Sequence, residues 1–290
     1  MKISFIGLGR MGSGLAKNLI RNGFGVHLYD IREEAITSIT SAIGGKQAHN
    51  VSEAVTDADV VFTSVPLPAD LESLLLGDGG VMTYMKQGST VIDVSTIDPL
   101  TARRLSDIAA VRGIQYLECP LGKGPKQAEE GTEPIFAGGR KEVFEQHRAM
   151  LEKIGTPVYY LGDVEQSTAF KIISNLIGMT NMAILAEGLR LGERAGIDAR
   201  LLHGLLAETG ADSYQLRLRG PWLLEEDYAP RFSINLTVKD LRLGVEMAKA
   251  WSHPAEFSKL ALKYFEISQA EGYGEEDTNA VYKVIRHVLN

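Results

Sequence analysis

Three glycines, at positions 7, 9 and 12, stand directly after the apolar run Ile3 to Ile6 and at the head of a helix-like stretch. In Gly7-Leu8-Gly9-Arg10-Met11-Gly12 the first glycine permits a tight turn. The second lets backbone approach a pyrophosphate, and the third lets helix and strand pack closely. The helix N-terminus then offers N–H groups and a partial positive charge to phosphates. Asp30 closes the second apolar run, eighteen residues after Gly12. A carboxylate there accepts hydrogen bonds from ribose hydroxyls and repels a 2′-phosphate. This pattern implies hydride chemistry with a nicotinamide dinucleotide, held by Gly7 to Gly12 and, at the adenosine ribose, by Asp30, Ile31 and Arg32. Asp30 favours NAD(H). Arg32, two positions on, has the reach to meet a 2′-phosphate, so NADP(H) stands as the less favoured cofactor.

Hydride transfer to a carbonyl needs a proton partner. Lys171 and Asn175 are four residues apart, hence on one helical face a turn apart. A lysine can protonate the developing alkoxide, or accept the proton in the oxidative direction, if burial and neighbours draw its pKa towards neutrality. Asn175 can orient that lysine or hold the substrate. Apolar Phe170, Ile172 and Ile173 flank Lys171. The six histidines show no metal-ligand spacing, so no metal is expected. Cys119 has no activating base nearby in sequence and reads as a small buried residue.

The elements that must position these groups change character along the chain. Apolar runs at Lys2-Ile6, Gly25-Tyr29, Val60-Ser64, Thr90-Val94, Gln115-Glu118 and Glu133-Ala137 predict strands, and Leu15-Arg21 and Glu33-Ile43 predict helices between them. Such alternation gives right-handed βαβ units and a doubly wound, mainly parallel sheet of the Rossmann type. From Gln166 onward helical spacing dominates. Phe170, Ile173, Ile177, Met182, Leu185 and Leu189 suit one long, largely buried helix, followed by Asp198-Ala207, Val238-Trp251 and Glu256-Gln269. The division expected is a dinucleotide-binding domain over 1–163 and an all-helical substrate and dimerisation domain over 164–290.

Bulk properties agree with a globular α/β protein: 290 residues, 44% hydrophobic and 23% charged, with a net charge of −7. The acidic balance argues against a nucleic-acid partner. One cysteine allows no intrachain disulfide. No uninterrupted run of 18 apolar residues predicts a membrane span, and no signal peptide is read at the N-terminus. The expectation is a cytoplasmic protein, assembled as a homodimer or homotetramer because a long apolar helix is often covered by a symmetry mate.

The glycine turn with Ala16, Asn18-Leu19 and Gly23 resembles the opening of the β-hydroxyacid dehydrogenases, the family of 3-hydroxyisobutyrate dehydrogenase and tartronate semialdehyde reductase, with 6-phosphogluconate dehydrogenase more distant. The resemblance continues through Val65-Pro66, Asp93-Val94-Ser95-Thr96, Glu118-Cys119-Pro120-Leu121-Gly122-Lys123-Gly124 with Gly131-Thr132, Lys171-x-x-x-Asn175 and Lys239-Asp240-Leu241. It implies that Lys171 and Asn175 are catalytic and that Gly122, Lys123, Gly124 and Asn175 hold the substrate. By the same resemblance Val65, Pro66 and Thr96 position the nicotinamide, and Lys239 reaches the cofactor.

Two departures from the family pattern bear on substrate. The substrate segment usually reads D-A-P-V-S-G-G. Here Glu118, Cys119, Gly122 and Lys123 replace its Asp, Ala, Ser and second-to-last Gly. A lysine in that loop adds charge and reach, which suits a sulfonate or phosphate head group. Sulfolactaldehyde reductases of the family carry a glycine and then a basic residue, usually Arg, at these positions. That resemblance makes the reduction of 3-sulfolactaldehyde to 2,3-dihydroxypropane-1-sulfonate the leading expectation. Ordinary carboxylates of the 3-hydroxyisobutyrate or tartronate semialdehyde type are the alternative, with Lys123 in solvent. The second departure is Glu165-Gln166-Ser167 before the catalytic helix, where the family has a glycine-rich turn; Ser167 is the expected N-cap. A non-catalytic dinucleotide sensor and an imine reductase fit the same fold, but Lys171 weighs against both.

Overall fold

The computed structural model describes residues 1–288. Its first unit, Met1–Lys171, carries eight strands: β1 (Ile3–Ile6), β2 (Val26–Tyr29), β3 (Lys46–Gln47), β4 (Val60–Thr63), β5 (Thr90–Asp93), β6 (Gln115–Glu118), β7 (Ile135–Gly139) and β8 (Val158–Tyr160). They form one sheet in the order β3-β2-β1-β4-β5-β6-β7-β8. Pairing is parallel from β3 to β6, antiparallel between β6 and β7, and parallel again between β7 and β8. This is the Rossmann order with two strands added past β6. The inner strands β1, β4 and β5 are buried at every residue, as continuous apolar runs in a parallel sheet must be.

Helices α1 (Arg10–Arg21), α2 (Glu33–Ile43), α3 (Val51–Val55), α4 (Pro68–Leu76), α5 (Val81–Tyr84), α6 (Pro99–Val111), α7 (Pro125–Glu130) and α8 (Lys141–Ile154) belong to this unit. Two apolar clusters fill it. One contains Phe5, Leu15, Leu19, Phe62, Ile92 and Leu117; the other contains Val61, Leu71, Leu75, Val91, Ile97 and Leu105. The expected run Glu133-Ala137 starts as a strand only at Ile135, which leaves Glu133 in the turn before it.

The long helix α9 (Val164–Arg194) starts in the first unit and continues through the second, which begins at Ile172. The second unit adds α10 (Ala199–Ala207), α11 (Tyr214–Leu224), α12 (Ile234–Ala250), α13 (Glu256–Ser268) and α14 (Val281–Val288). Met182, Leu189, Ile234, Val238, Leu241, Phe265 and Val281 make its core. Asp198, Ser213 and Ser233 cap α10, α11 and α12 through side-chain oxygens.

α9 departs from the expected buried helix. Met182 and Leu189 are buried, but Ile173, Ile177, Ile184 and Leu191 are exposed, Ile177 by 59%. By length and composition α9 is long and apolar enough to cross a bilayer, an 18-residue stretch within it having a mean hydropathy of 1.4. Its apolar residues are therefore divided between the core of the second unit and an outward stripe.

Candidate active site

The glycine turn separates into what the protein itself requires and what a ligand requires. Gly7 has φ +91°, and a Cβ there would lie 2.1 Å from the Ser64 carbonyl oxygen. A Cβ on Gly12 would lie 2.0 Å from the Gly7 oxygen. Both positions admit only glycine because backbone already fills the space. At Gly9 a Cβ would meet nothing within 4 Å. Gly9 is the N-cap of α1 and supplies no side-chain cap to its first turn. The first turn of any helix carries N–H groups without intrahelical acceptors, and the open space above this one fits a pyrophosphate. The residues present thus suit a dinucleotide.

Asp30 follows β2 and turns its carboxylate back onto this loop. Leu8 N–H donates to Oδ2 at 2.6 Å, and Arg32 N–H to Oδ1 at 2.8 Å. The Arg32 guanidinium also donates to Oδ1, at 3.3 Å. The residue expected to reach a 2′-phosphate is therefore drawn against the carboxylate that repels one. Ile31 between them is 91% exposed.

The ends of β4 and β5 are held together by a buried network. Thr63 Oγ1 donates to Asp93 Oδ1 at 2.6 Å, Ser95 Oγ donates to the same oxygen at 2.8 Å, and Val65 N–H donates to Ser95 Oγ at 3.0 Å. These bonds fix the loop that presents Val65 and Pro66 and the turn that presents Thr96. Thr63 and Ser95 were not among the expected site residues. Their signal is a hydroxyl at a strand end facing an acidic residue in the neighbouring strand.

The substrate segment uses its backbone inwardly. Gly122 N–H donates to Pro134 O at 3.0 Å, and Lys123 N–H donates to Glu133 Oε1 at 2.5 Å. A Cβ on Gly122 would lie 2.8 Å from the Phe136 ring, so the glycine that replaces the family's serine is demanded by packing. Phe136 in turn packs on Phe170 and Tyr159. Gly124 is the N-cap of α7, with Pro125 opening the helix. The Lys123 side chain is exposed. α7 rests on α1: Gly14 leaves room for the Ala128-Glu129 backbone, and Asn18 Nδ2 donates to Ala128 O. The helix after the glycine turn and the segment expected to hold substrate are thereby one mechanical piece.

A further carboxyl group, that of Glu118, is fully buried nearby. Tyr116 donates to Glu118 Oε1 at 2.6 Å. Burial, and then the charge of Asp93, hold the Glu118 carboxyl well above the usual range. Burial, then Glu118 and Asp93, also push the Cys119 thiol up, which makes it a poor nucleophile.

Lys171 is half-buried on α9, between exposed Phe170 and fully buried Ile172. Ser167 does not cap this helix. α9 already begins at Val164, and Ser167 lies buried in its first turn, donating from Oγ to Phe136 O at 2.6 Å. It ties α9 to β7 and replaces backbone freedom with a fixed bond.

In the second unit Asn175 Nδ2 donates to Asp240 Oδ2 at 2.6 Å, and Lys239 Nζ pairs with Asp240 Oδ1 at 2.8 Å. Asp240 thus positions two expected site residues at once, yet it was not itself expected among them. The close approach of α12 to α9 has a visible cause: a Cβ on Gly244, one turn after Asp240, would lie 2.5 Å from Leu176.

Comparison with known proteins places this geometry. The family profile described as the NAD binding domain of 6-phosphogluconate dehydrogenase matches residues 2–162, and that described as the NAD-binding of NADP-dependent 3-hydroxyisobutyrate dehydrogenase matches 166–285. The 2-(hydroxymethyl)glutarate dehydrogenase of Eubacterium barkeri is 34% identical, covering 98% of this chain and 94% of that protein. The NAD-dependent L-serine dehydrogenase of Pseudomonas aeruginosa is 30% identical, covering 98% and 97%. The crystal structure of 3-hydroxyisobutyrate dehydrogenase from Salmonella typhimurium superimposes with a TM-score of 0.89 at 27% identity, covering 98% and 99%. Both halves of the chain are accounted for by one family, in its own order, and the chain belongs to the β-hydroxyacid dehydrogenases, oxidoreductases that act on a hydroxyl group.

Proposed function

We propose that this chain is an NAD(H)-dependent semialdehyde reductase for a small, strongly anionic substrate, with 3-sulfolactaldehyde reduced to 2,3-dihydroxypropane-1-sulfonate as the specific reaction. When bound, the reduced nicotinamide supplies the hydride. Lys171 Nζ delivers the proton to the carbonyl oxygen, so the aldehyde gains one hydride and one proton and leaves as the alcohol. Asn175, held by Asp240, orients the reacting groups. The assignment of Lys239 to the cofactor rests on the family motif. NAD(H) is favoured because Asp30 faces the glycine turn with Arg32 paired to it.

The observation that carries the substrate reading is the use already made of the loop amides. Gly122 and Lys123 spend their N–H groups on Pro134 and Glu133. Among the groups the segment still offers an anion is the Lys123 ammonium, exposed in the structure, a point charge on a long stem that suits a head group carrying full charge on several oxygens. The test is kinetic: 3-sulfolactaldehyde, tartronate semialdehyde, methylmalonate semialdehyde and succinic semialdehyde, each with NADH and NADPH, on wild type and Lys123→Gly. The sulfonate should give the highest kcat/KM with NADH and lose at least about tenfold in Lys123→Gly, the cost of one charge-assisted contact. An unchanged value in the variant removes the anion-anchor reading and favours an ordinary carboxylate.

Assembly belongs to the same proposal. Ile173, Ile177, Ile184 and Leu191 form an outward stripe on α9, and a second copy of the chain is the occupant we assign to it. Light scattering should find a dimer or tetramer; a lone 31.6 kDa species removes the idea.

A further inference from the structure

We propose that Phe136 is a specificity-determining residue of this site: its ring holds position 122 to glycine, so that the substrate segment meets an anion without a side-chain hydroxyl there. The inference rests on the reading of this segment as the holder of the substrate's anionic head.

Gly122 is exposed and its φ lies outside the left-handed region, so neither a core position nor the backbone conformation asks for glycine. The demand comes from its neighbours. A Cβ at 122 would lie 2.8 Å from Phe136 Cε2 and 3.2 Å from Cζ, with Pro134 Cβ also at 3.2 Å. A shift of a few tenths of an ångström relieves the contact with Pro134, but the ring overlap is deeper. At Gly124, two residues on, a Cβ would meet Gln127 Oε1 at 3.6 Å, an ordinary contact. The constraint is therefore local to position 122.

A ring edge swings aside at little cost where nothing holds it. This ring is held. Phe170 packs on it with centroids 4.4 Å apart, and Tyr159 stacks on it at 5.7 Å with planes 8° apart. Its backbone is pinned as well: Phe136 N–H donates to Pro120 O at 3.0 Å, and Ser167 Oγ donates to Phe136 O at 2.6 Å. Partner rings and backbone bonds together fix where Cε2 and Cζ lie.

A serine at 122 would give the segment a neutral donor for a carboxylate oxygen. With Phe136 in place that donor is missing, and the Gly122 and Lys123 amides are turned to Pro134 and Glu133. Recognition then leans on the Lys123 charge, which favours a head group with full charge over several oxygens. Leucine keeps Cγ and both Cδ atoms but has no Cε2 or Cζ, so Phe136→Leu removes the blocking atoms and little else.

The test is a cycle of Gly122→Ser, Phe136→Leu and the double variant, read by Tm and by kcat/KM for tartronate semialdehyde and 3-sulfolactaldehyde with NADH. Gly122→Ser alone should lower Tm by about 4–8 °C, and the same serine should cost about half of that or less in the Phe136→Leu background. The kcat/KM ratio of tartronate semialdehyde to 3-sulfolactaldehyde should rise about tenfold in the double variant relative to Phe136→Leu, the worth of one added hydrogen bond. A serine tolerated at wild-type Tm beside Phe136, or one that costs as much in the Phe136→Leu background, overturns the inference. So does an unchanged ratio in the folded double variant, which leaves Phe136 a packing residue. If neither aldehyde turns over, the Tm shifts that glycerate and 2,3-dihydroxypropane-1-sulfonate give the NAD-loaded variants replace the ratio. Wild type that reduces tartronate semialdehyde but not 3-sulfolactaldehyde sinks the sulfonate reading alone; the inference is then decided by the Tm cycle, which needs no substrate, and by a gain on tartronate semialdehyde in the double variant over Phe136→Leu.

Discussion

The two helix-side glycines of the cofactor turn should respond oppositely to the same methyl group. In Gly12→Ala the new Cβ falls 2.0 Å from the Gly7 carbonyl oxygen, far inside van der Waals contact and against backbone that cannot swing aside. The turn must open or α1 must shift, at a cost of about 3 kcal/mol or more. For a unit of this size that is a Tm loss of about 6–12 °C. In Gly9→Ala the Cβ meets nothing within 4 Å and the residue already has φ −65°, so stability should stay within about 0.5 kcal/mol of wild type. The methyl group instead occupies the space assigned to the pyrophosphate. Losing one or two charge-assisted N–H bonds to phosphate, about 1.5–3 kcal/mol, weakens NADH binding about 10- to 100-fold. Thermal unfolding and NADH fluorescence titration read both effects on the same samples. Wild-type NADH affinity in Gly9→Ala would refute the placement of the pyrophosphate, and a wild-type Tm in Gly12→Ala would refute the packing argument.

Asp240→Ala should lower Tm, because it removes a buried carboxylate that the Lys239 ammonium and the Asn175 amide share, and at a temperature where circular dichroism shows the variant folded it should lower kcat/KM by about 10²-fold, the cost of misplacing a reacting constellation by about an ångström, as read by steady-state kinetics. Glu118 gives a pH signature. Its carboxyl is held up by burial and then by Asp93, so in the unfolded chain it ionises from about pH 4.3 while the folded chain keeps its proton. The stability that this group contributes is whole below that pH and is lost as pH rises towards the folded-state value. Glu118→Gln, which can still accept from Tyr116, should therefore gain in Tm relative to wild type between pH 5 and pH 8; a constant difference across that range would contradict the burial argument.

What the chain's own sequence revealed depended on how local each cause is. The glycine turn, the place of Asp30 after the second strand and the one-turn spacing of Lys171 and Asn175 on a helix were legible because short spacing on a strand, turn or helix dictates their geometry. β3 and β8 were missed because two or three half-exposed residues at a sheet edge carry no apolar period. α11 was missed for a different reason: Gly220 and Pro221 interrupt its pattern, and it is held by burial of Leu216 and Leu223. Asp240 reaches Asn175 across sixty-five residues, and only the glycine notch at Gly244 brings the helices close enough. Glu133 read as the start of a strand, yet the turn before β7 folds it under the substrate loop. The outward stripe on α9 shows the limit of periodicity: apolar spacing says that a face is to be covered, not by what.

The central claim is that Lys171 donates the proton in an NADH-dependent reduction of a small anionic aldehyde. Its most direct test is the loss of absorbance at 340 nm with NADH and 3-sulfolactaldehyde, for wild type and Lys171→Ala, alongside NADH titration of both. The account predicts turnover in wild type, a fall of about 10²–10⁴-fold in the variant's kcat, and equal NADH affinity. Equal turnover in the two proteins, or NADH binding by wild type without reduction of this or any semialdehyde in the panel, would contradict it.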